Sequence, residues 1–150
     1  MSSRLALFLF ILGTLGAGLL IGSVSAPDAW YQALAKPAFN PPPWLFPPTW
    51  TVLYVLIGVA GWRVWRLPAR DGLLGLWGAQ MALNLIWTPV FFGLHQIGWA
   101  LVVIVGLLAL ILVFIARAWR RDRVAAFLFV PYAAWVGFAT LLTASIWRLN

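Results

Sequence analysis

The chain has 150 residues, of which 64% are hydrophobic and only 9% charged, and its formal net charge is +7. This composition lies outside the range of soluble globular proteins and predicts an integral membrane protein. The absence of cysteine excludes disulfides, thiolate nucleophiles and cysteine metal sites.

Five apolar runs are each long enough to cross a bilayer core, which takes about 20 helical residues. They cover residues 5–24, 47–64, 72–93, 97–118 and 124–146. We therefore predict an all-α, single-domain bundle of five transmembrane helices over residues 1–150. Pro89 and Pro131 fall inside the third and fifth runs, and each predicts a kink.

The first run ends in the small residues SVSA, a pattern similar to a signal-peptide cleavage site. The run is longer than the usual apolar core of a signal peptide, and Pro27 would directly follow the cut. We therefore predict that the first helix is retained.

The connector after the first run, residues 26–46, is rich in proline and aromatic residues. A long connector with its own short helix is typical of segments that cover a functional site. Its prolines stiffen the backbone and would hold the aromatic side chains over whatever lies beneath. We call residues 26–46 the lid.

Basic residues are distributed unequally between the two sides of the predicted bundle. The side of the N-terminus carries eight of the ten: Arg4, Arg63, Arg66, Arg70, Arg117, Arg120, Arg121 and Arg123. Lys36 and Arg148 lie on the other side. This bias predicts a cytoplasmic N-terminus and an external lid and C-terminus. We expect the membrane to be the bacterial inner membrane. Because the arginines flank helix ends, anionic headgroups explain the positive charge better than nucleic acid does.

The third run has two different faces when it is built as a helix with about 100° per residue. One face carries Trp77, Gln80, Asn84, Trp87, Thr88 and Phe91, and the opposite face carries the small residues Gly75, Ala79 and Ala82. An amide in hydrocarbon must be paired, so Gln80 and Asn84 bond either a neighbouring helix or a ligand. The small face permits close helix approach, within the bundle or between two copies.

Aromatic stripes also occur on the second and fifth predicted helices. Trp50 and Tyr54 share one stripe, and Trp135 and Phe138 share another that has Ala139 beside it. Large aromatics next to small residues describe a flat apolar slot suited to a planar hydrophobic ligand. Aromatic core packing is the alternative interpretation.

Several spaced motifs together resemble the tryptophan-rich sensory protein family, whose mitochondrial members are called translocator protein. The residues are Trp30-Tyr31, Lys36-Pro37, Asn40-Pro41-Pro42, Trp44, Trp50, Tyr54, Gln80, Asn84, Trp87, Pro89, Phe91-Phe92-Gly93, Pro131-Tyr132 and Trp135. The resemblance covers essentially the whole chain. It implies a five-helix membrane protein, usually homodimeric, that binds porphyrins, and in some members sterols, in a pocket capped by the first loop.

The resemblance also implies site residues. The implied ligand pocket consists of Trp30, Trp44, Trp50, Tyr54, Asn84, Trp87, Trp135 and Ala139, with Phe91 and Phe138 as wall residues. The implied covering segment includes Tyr31, Lys36, Pro37, Asn40, Pro41 and Pro42, and the implied dimer face is the small one of the third helix. Lys36 would meet a porphyrin propionate or cap a loop carbonyl. Ala144 stands where the cholesterol motif of animal members has tyrosine, which disfavours sterol binding.

Two other functional classes are less well supported by the sequence. Acid–base catalysis has little to work with, because the three acidic residues and the single histidine all lie outside the predicted helix cores. The light-dependent porphyrin breakdown proposed for the family would draw its chemistry from the bound pigment.

His95 is either a solvated loop residue or a haem-iron ligand. Ion transport usually needs intramembrane charges, which are absent from the interiors of the five runs, whereas porphyrin transport is an alternative function. We expect no metal site and no obligatory cofactor.

Overall fold

The structure is a computed structural model that describes residues 1–69 and 71–150. Arg70, one of the eight basic residues counted above, lies outside the described residues. The helices are α1 (Ser3–Val24), α2 (Ala29–Ala33), α3 (Phe46–Trp65), α4 (Leu73–Thr88), α5 (Ile97–Ala118), α6 (Arg123–Leu128) and α7 (Val130–Leu149). A 3₁₀ turn, Pro43–Leu45, precedes α3, and a π-helical turn, Pro89–Gly93, follows α4.

Four segments have the length and hydropathy needed to cross a membrane: Ser3–Val24, Pro43–Trp65, Ile97–Ala118 and Arg123–Leu149. The α4 helix itself has 16 residues, fewer than the about 20 that a bilayer core takes. The all-helical architecture predicted from the sequence is thus confirmed, with four helical segments able to span a bilayer.

Both prolines mark helix boundaries rather than kinks inside a continuous helix. Pro89 ends α4 and begins the π turn, in which the Leu94 amide donates to the Pro89 carbonyl at 2.8 Å. Phe129 separates α6 from α7, so the predicted helix 124–146 is two helices. Pro131 lies in the first turn of α7. Its missing N–H costs little there, because the N–H groups of a first helical turn have no carbonyl acceptor within the helix.

The two ends of the bundle differ in chemistry. At the arginine-rich end, defined by Arg63, Arg121 and Asp122, the Arg63 Nε donates to the Asp122 carboxylate at 2.9 Å. The same carboxylate accepts from the backbone N–H groups of the first turn of α6. Arg121 pairs with Asp71. The opposite end, defined by the lid and the turn after α4, we call the lid end.

The small face of α4 lies on the surface of the chain. Gly75, Ala79 and Ala82 are exposed, whereas Gln80 and Asn84 on the other face are buried. No other described helix of this chain covers the small face, so packing within the bundle does not explain it.

Candidate functional site

A cavity of about 650 Å³ occupies the lid end of the bundle, between α1, α3, α4 and α7 and beneath the lid. Pockets for small ligands usually have volumes of roughly 300–1,000 Å³. Six of the ten predicted pocket residues line this cavity: Trp50, Tyr54, Trp87, Phe91, Trp135 and Ala139.

Aromatic pairs form much of the cavity wall. Trp50 and Tyr54 of α3 stack with ring centroids 5.5 Å apart and an angle of 29° between the planes. Trp87 lies 5.4 Å from Phe91, at the point where α4 gives way to the π turn. These pairs present broad apolar faces, so the wall favours a flat aromatic ligand over a compact polar one.

Three predicted pocket aromatics lie outside the cavity. Trp44 lies in the 3₁₀ turn before α3, and its side chain is 71% exposed. Trp30 stacks on the His95 ring, with centroids 4.0 Å apart. Phe138 packs between Phe39 at 6.1 Å and Trp135 at 5.7 Å, behind the wall instead of in it.

Asn84, also predicted to contact a ligand, is instead part of a buried hydrogen-bond chain between helices. The Tyr54 hydroxyl donates to Asn84 Oδ1 at 2.7 Å, and Asn84 Nδ2 donates to the Tyr132 hydroxyl at 2.7 Å. The Tyr132 hydroxyl in turn donates to Gln80 Oε1 at 2.8 Å. Of the two alternatives left open by the sequence, the structure shows the interhelical one, because the amide bonds Tyr54 and Tyr132 and Asn84 does not line the cavity.

The lid contributes only part of its predicted set to the cavity. Tyr31, Lys36, Asn40 and Pro41 line it, whereas Pro37 and Pro42 do not. The Lys36 ammonium donates to the carbonyls of Gln32 at 3.3 Å and Leu34 at 3.1 Å. It also lies 4.6 Å from the centre of the Tyr31 ring. Lysine has three N–H donors, so one is left for a ligand.

The sequence analysis missed the contribution of α1 to the cavity. Gly18, Leu19, Gly22 and Ser23 all line it. A Cβ at Gly18 would overlap the Tyr54 ring, so this glycine allows α1 and α3 to approach closely. A Cβ at Gly22 would meet nothing within 4 Å. The signal was the GxxxG spacing of these two residues, but spacing alone does not distinguish a cavity wall from a dimer contact.

Polar groups without a partner concentrate in residues that line the cavity. Among the described residues, four buried side-chain polar atoms lack a hydrogen bond, and three of them are Asn40 Oδ1, Trp87 Nε1 and Trp135 Nε1. All three residues line the cavity. Buried polar atoms in proteins are generally paired, so the residues around the cavity have unused hydrogen-bonding capacity.

His95 connects the lid to the turn that follows α4. Its Nε2 atom lies 3.1 Å from Asp28 Oδ2, and its ring stacks on Trp30. The pKa of the Asp28 carboxyl is lowered, first by the hydrogen bond from the Tyr31 backbone N–H and further by His95. His95 is thus an exposed loop residue that pairs with Asp28, and it does not line the cavity. Within the described part of the chain, no three potential metal ligands lie together.

Comparison with known proteins agrees with this architecture. The TspO/MBR family model matches residues 6–148, which include the lid and every helix that lines the cavity. The chain belongs to the TspO/MBR family. This confirms the resemblance that the sequence motifs indicated.

Relatives in the TspO/MBR family come from bacteria and animals. The tryptophan-rich sensory protein of Cereibacter sphaeroides is 41% identical over 97% of this chain and 92% of its own length. Protein CrtK of Rhodobacter capsulatus is 40% identical over 86% of this chain and 83% of its own length. The human translocator protein is 39% identical over 81% of this chain and 75% of its own length.

Proposed function

We propose that this protein is a membrane-embedded binding protein for porphyrins, other tetrapyrroles and similar flat hydrophobic molecules, acting in their sensing, delivery or turnover. The observation that carries the proposal is the aromatic-walled cavity of about 650 Å³ beneath the lid. Membership of a family that includes a tryptophan-rich sensory protein and translocator proteins supports a ligand-handling function.

The chemistry of the cavity fits this ligand class in two ways. Trp50 and Tyr54 offer stacked ring faces for a planar apolar core. Lys36 lines the cavity with a donor to spare, and a propionate carboxylate would accept it in a charge-assisted hydrogen bond. The ring system and the acidic side group of such a ligand would thus meet different parts of the site.

The proposal includes a topology and an oligomeric state. The 16 residues of α4 and the 5 of the π turn together form a segment of 21 residues, long enough for a fifth span. Eight of ten basic residues on one side support a cytoplasmic N-terminus in a bacterial inner membrane. The uncovered small face of α4 supports a homodimer built on Gly75, Ala79 and Ala82.

The test is a protoporphyrin IX titration followed by tryptophan fluorescence quenching, in detergent, with wild type beside Trp135→Phe. Removing the indole from the wall should weaken binding by about 1 kcal/mol, or several-fold in Kd. Trp119→Phe is the matched control, because Trp119 packs on Phe127 at the arginine-rich end. Equal affinities for all three proteins would contradict the proposal and leave the aromatic wall as core packing.

A further inference from the structure

His95 has a backbone conformation that few residues adopt. Its φ is 57°, in the left-handed region that disfavours residues with a Cβ. Such conformations persist where the surroundings hold them, and they cluster at switch and clamp positions. Here the imidazole is held on one side by the Trp30 ring and on another by the Asp28 carboxylate.

Asp28 joins two parts of the molecule through one carboxylate. Its Oδ1 atom accepts from the Tyr31 backbone N–H at 3.1 Å and so caps α2, while Oδ2 contacts His95 at 3.1 Å. The α2 helix contributes Tyr31 and Gln32 to the cavity lining. The contact therefore ties the part of the lid that covers the cavity to the rigid turn after α4.

Asp28 is the only charged side chain in the described residues that pairs with His95. Lys36, the other lid charge, is bonded to two lid carbonyls. Arg148 on α7 forms no ion pair in the described part of the chain. Desolvation raises the pKa of Tyr31, so its ring stays neutral at physiological pH. The lowered pKa of Asp28 keeps its carboxylate charged wherever an imidazole normally titrates, near pH 6.5.

A second anchor holds the lid and does not titrate. The Asn150 side chain accepts from the Ala35 N–H at 3.1 Å and donates to the Ala35 carbonyl at 2.9 Å. The lid is thus fastened at two separated points, one of which contains an ionisable ring and one of which does not. This pair provides an internal comparison for any effect of pH.

We propose that His95 is a positioning residue that fastens the lid over the cavity, and that it does so more tightly when its imidazole is protonated. The imidazolium forms an ion pair with Asp28 and a cation–π contact with Trp30, whereas the neutral ring keeps only a hydrogen bond and a stack. The inference deepens the proposed function and rests on it, since the lid covers the proposed ligand cavity.

We call the contact of His95 with Asp28 and Trp30 the latch. Cysteine labelling tests it without any ligand, because the chain has no cysteine of its own. Thr143 is buried and lines the cavity, and Thr143→Cys removes one methyl group and replaces the hydroxyl with a thiol. We would measure its labelling rate with 4,4′-dithiodipyridine, which reacts in acid as well as at neutral pH. The two measurements are made at about pH 5.5 and about pH 8, below and above the pKa of a free imidazole. The rate in each further variant is divided by the rate in Thr143→Cys alone at the same pH, which cancels the chemistry of the thiol.

His95→Asn is the main variant, because asparagine tolerates the left-handed backbone and still forms hydrogen bonds but does not titrate. We expect its relative labelling rate to rise by about two- to fivefold at the lower pH, the range for losing one exposed ion pair, and by less at the higher pH. Asp28→Asn should behave in the same way, since asparagine still caps α2. Asn150→Ala should raise the relative labelling rate by the same factor at both pH values.

Two results would overturn the proposal. One is a relative rate of one for His95→Asn at both pH values, and the other is an equal rise at both. Ile111→Cys, in the core of α5 and outside the cavity, checks for general loosening, and faster labelling there in the His95→Asn background would also overturn the latch. No porphyrin is added in the labelling experiment, so a result against the latch is independent of a result against porphyrin binding.

Discussion

The lid end and the arginine-rich end of this bundle use their aromatic residues in opposite ways. At the arginine-rich end, Phe114 and Phe129 are fully buried and pack against each other with ring centroids 4.1 Å apart. At the lid end, Trp50, Tyr54 and Trp135 stand around a cavity of about 650 Å³. One end holds the helices together, and the other leaves room for a ligand.

The boundary between these two regions is the hydrogen-bond chain through Asn84. Tyr54 reaches it from the cavity wall, and Tyr132 reaches it from the side of Phe129, whose ring lies 5.2 Å away. This hydrogen-bond chain joins α3, α4 and α7 and marks the level of the bundle at which the packed region ends. A binding site in a small bundle needs such a rigid floor, because wall residues without support would collapse into the open space.

The largest effect is expected for a truncation in the packed region. Phe114→Ala removes a ring that is fully buried against Phe129 and should lower the free energy of unfolding by about 3–4 kcal/mol. Leu142→Ala enlarges a cavity that already exists, so its cost should be nearer 2 kcal/mol. Both values can be measured by denaturant unfolding in detergent micelles. Equal losses would mean that the lid end is packed as tightly as the other end.

The next effect concerns the boundary itself. Asn84→Ala leaves the Tyr54 hydroxyl without its acceptor and should cost about 2 kcal/mol of unfolding free energy. Tyr54→Phe removes one hydrogen bond and keeps the ring, so it should cost about 1 kcal/mol and leave porphyrin affinity nearly unchanged. The measurements are unfolding and porphyrin titration on both variants. A large loss of affinity in Tyr54→Phe would place the hydroxyl in contact with ligand and contradict its bond to Asn84.

A smaller effect is expected where α1 borders the cavity. Gly18→Ala must displace the Tyr54 ring and should destabilise the protein by about 1–2 kcal/mol. Gly22→Ala meets open space, and alanine favours helix, so it should be neutral or stabilising by about 0.5 kcal/mol. The two substitutions are chemically identical and lie one turn apart. The difference between the thermal unfolding temperatures of the two variants therefore reports the close approach of α1 and α3 at Gly18. The same loss in both variants would indicate a helix contact at Gly22.

The sequence predicted much of this molecule, for identifiable reasons. Hydrophobic runs predicted α5 at its observed bounds, Ile97–Ala118, because nothing inside that run interrupts it. Helical spacing placed Gln80 and Asn84 on the buried face of α4, since period alone decides which residues share a face. Position along a single helix does not reveal what a neighbouring helix presents, so the tyrosine partners of Asn84 were missed.

The lid was harder to predict than the helices. Its residues follow no period, and the direction of Trp30 depends on His95, which is 65 positions later in the chain. The turn that carries His95 exists because Pro89 ends α4 and a π turn follows, which no periodicity indicates. Contacts between loops that are distant in sequence therefore need the structure itself.

The smallest effect is a titration at the edge of the lid. Asp28 accepts from the Tyr31 N–H and contacts His95, which lower its pKa below its usual value of about 3.8. A carboxyl with a lowered folded-state pKa stabilises the fold above its unfolded-state pKa, and that contribution is lost as the pH falls through the folded-state value. The contribution of the Asp28 carboxylate to the lid attachment should therefore be lost only in strong acid. The chain has just three acidic residues, so carbon-13 NMR of aspartate carboxyls would show three signals, of which Asp28→Asn identifies one. A midpoint for that signal at or above 3.8 would contradict both hydrogen bonds.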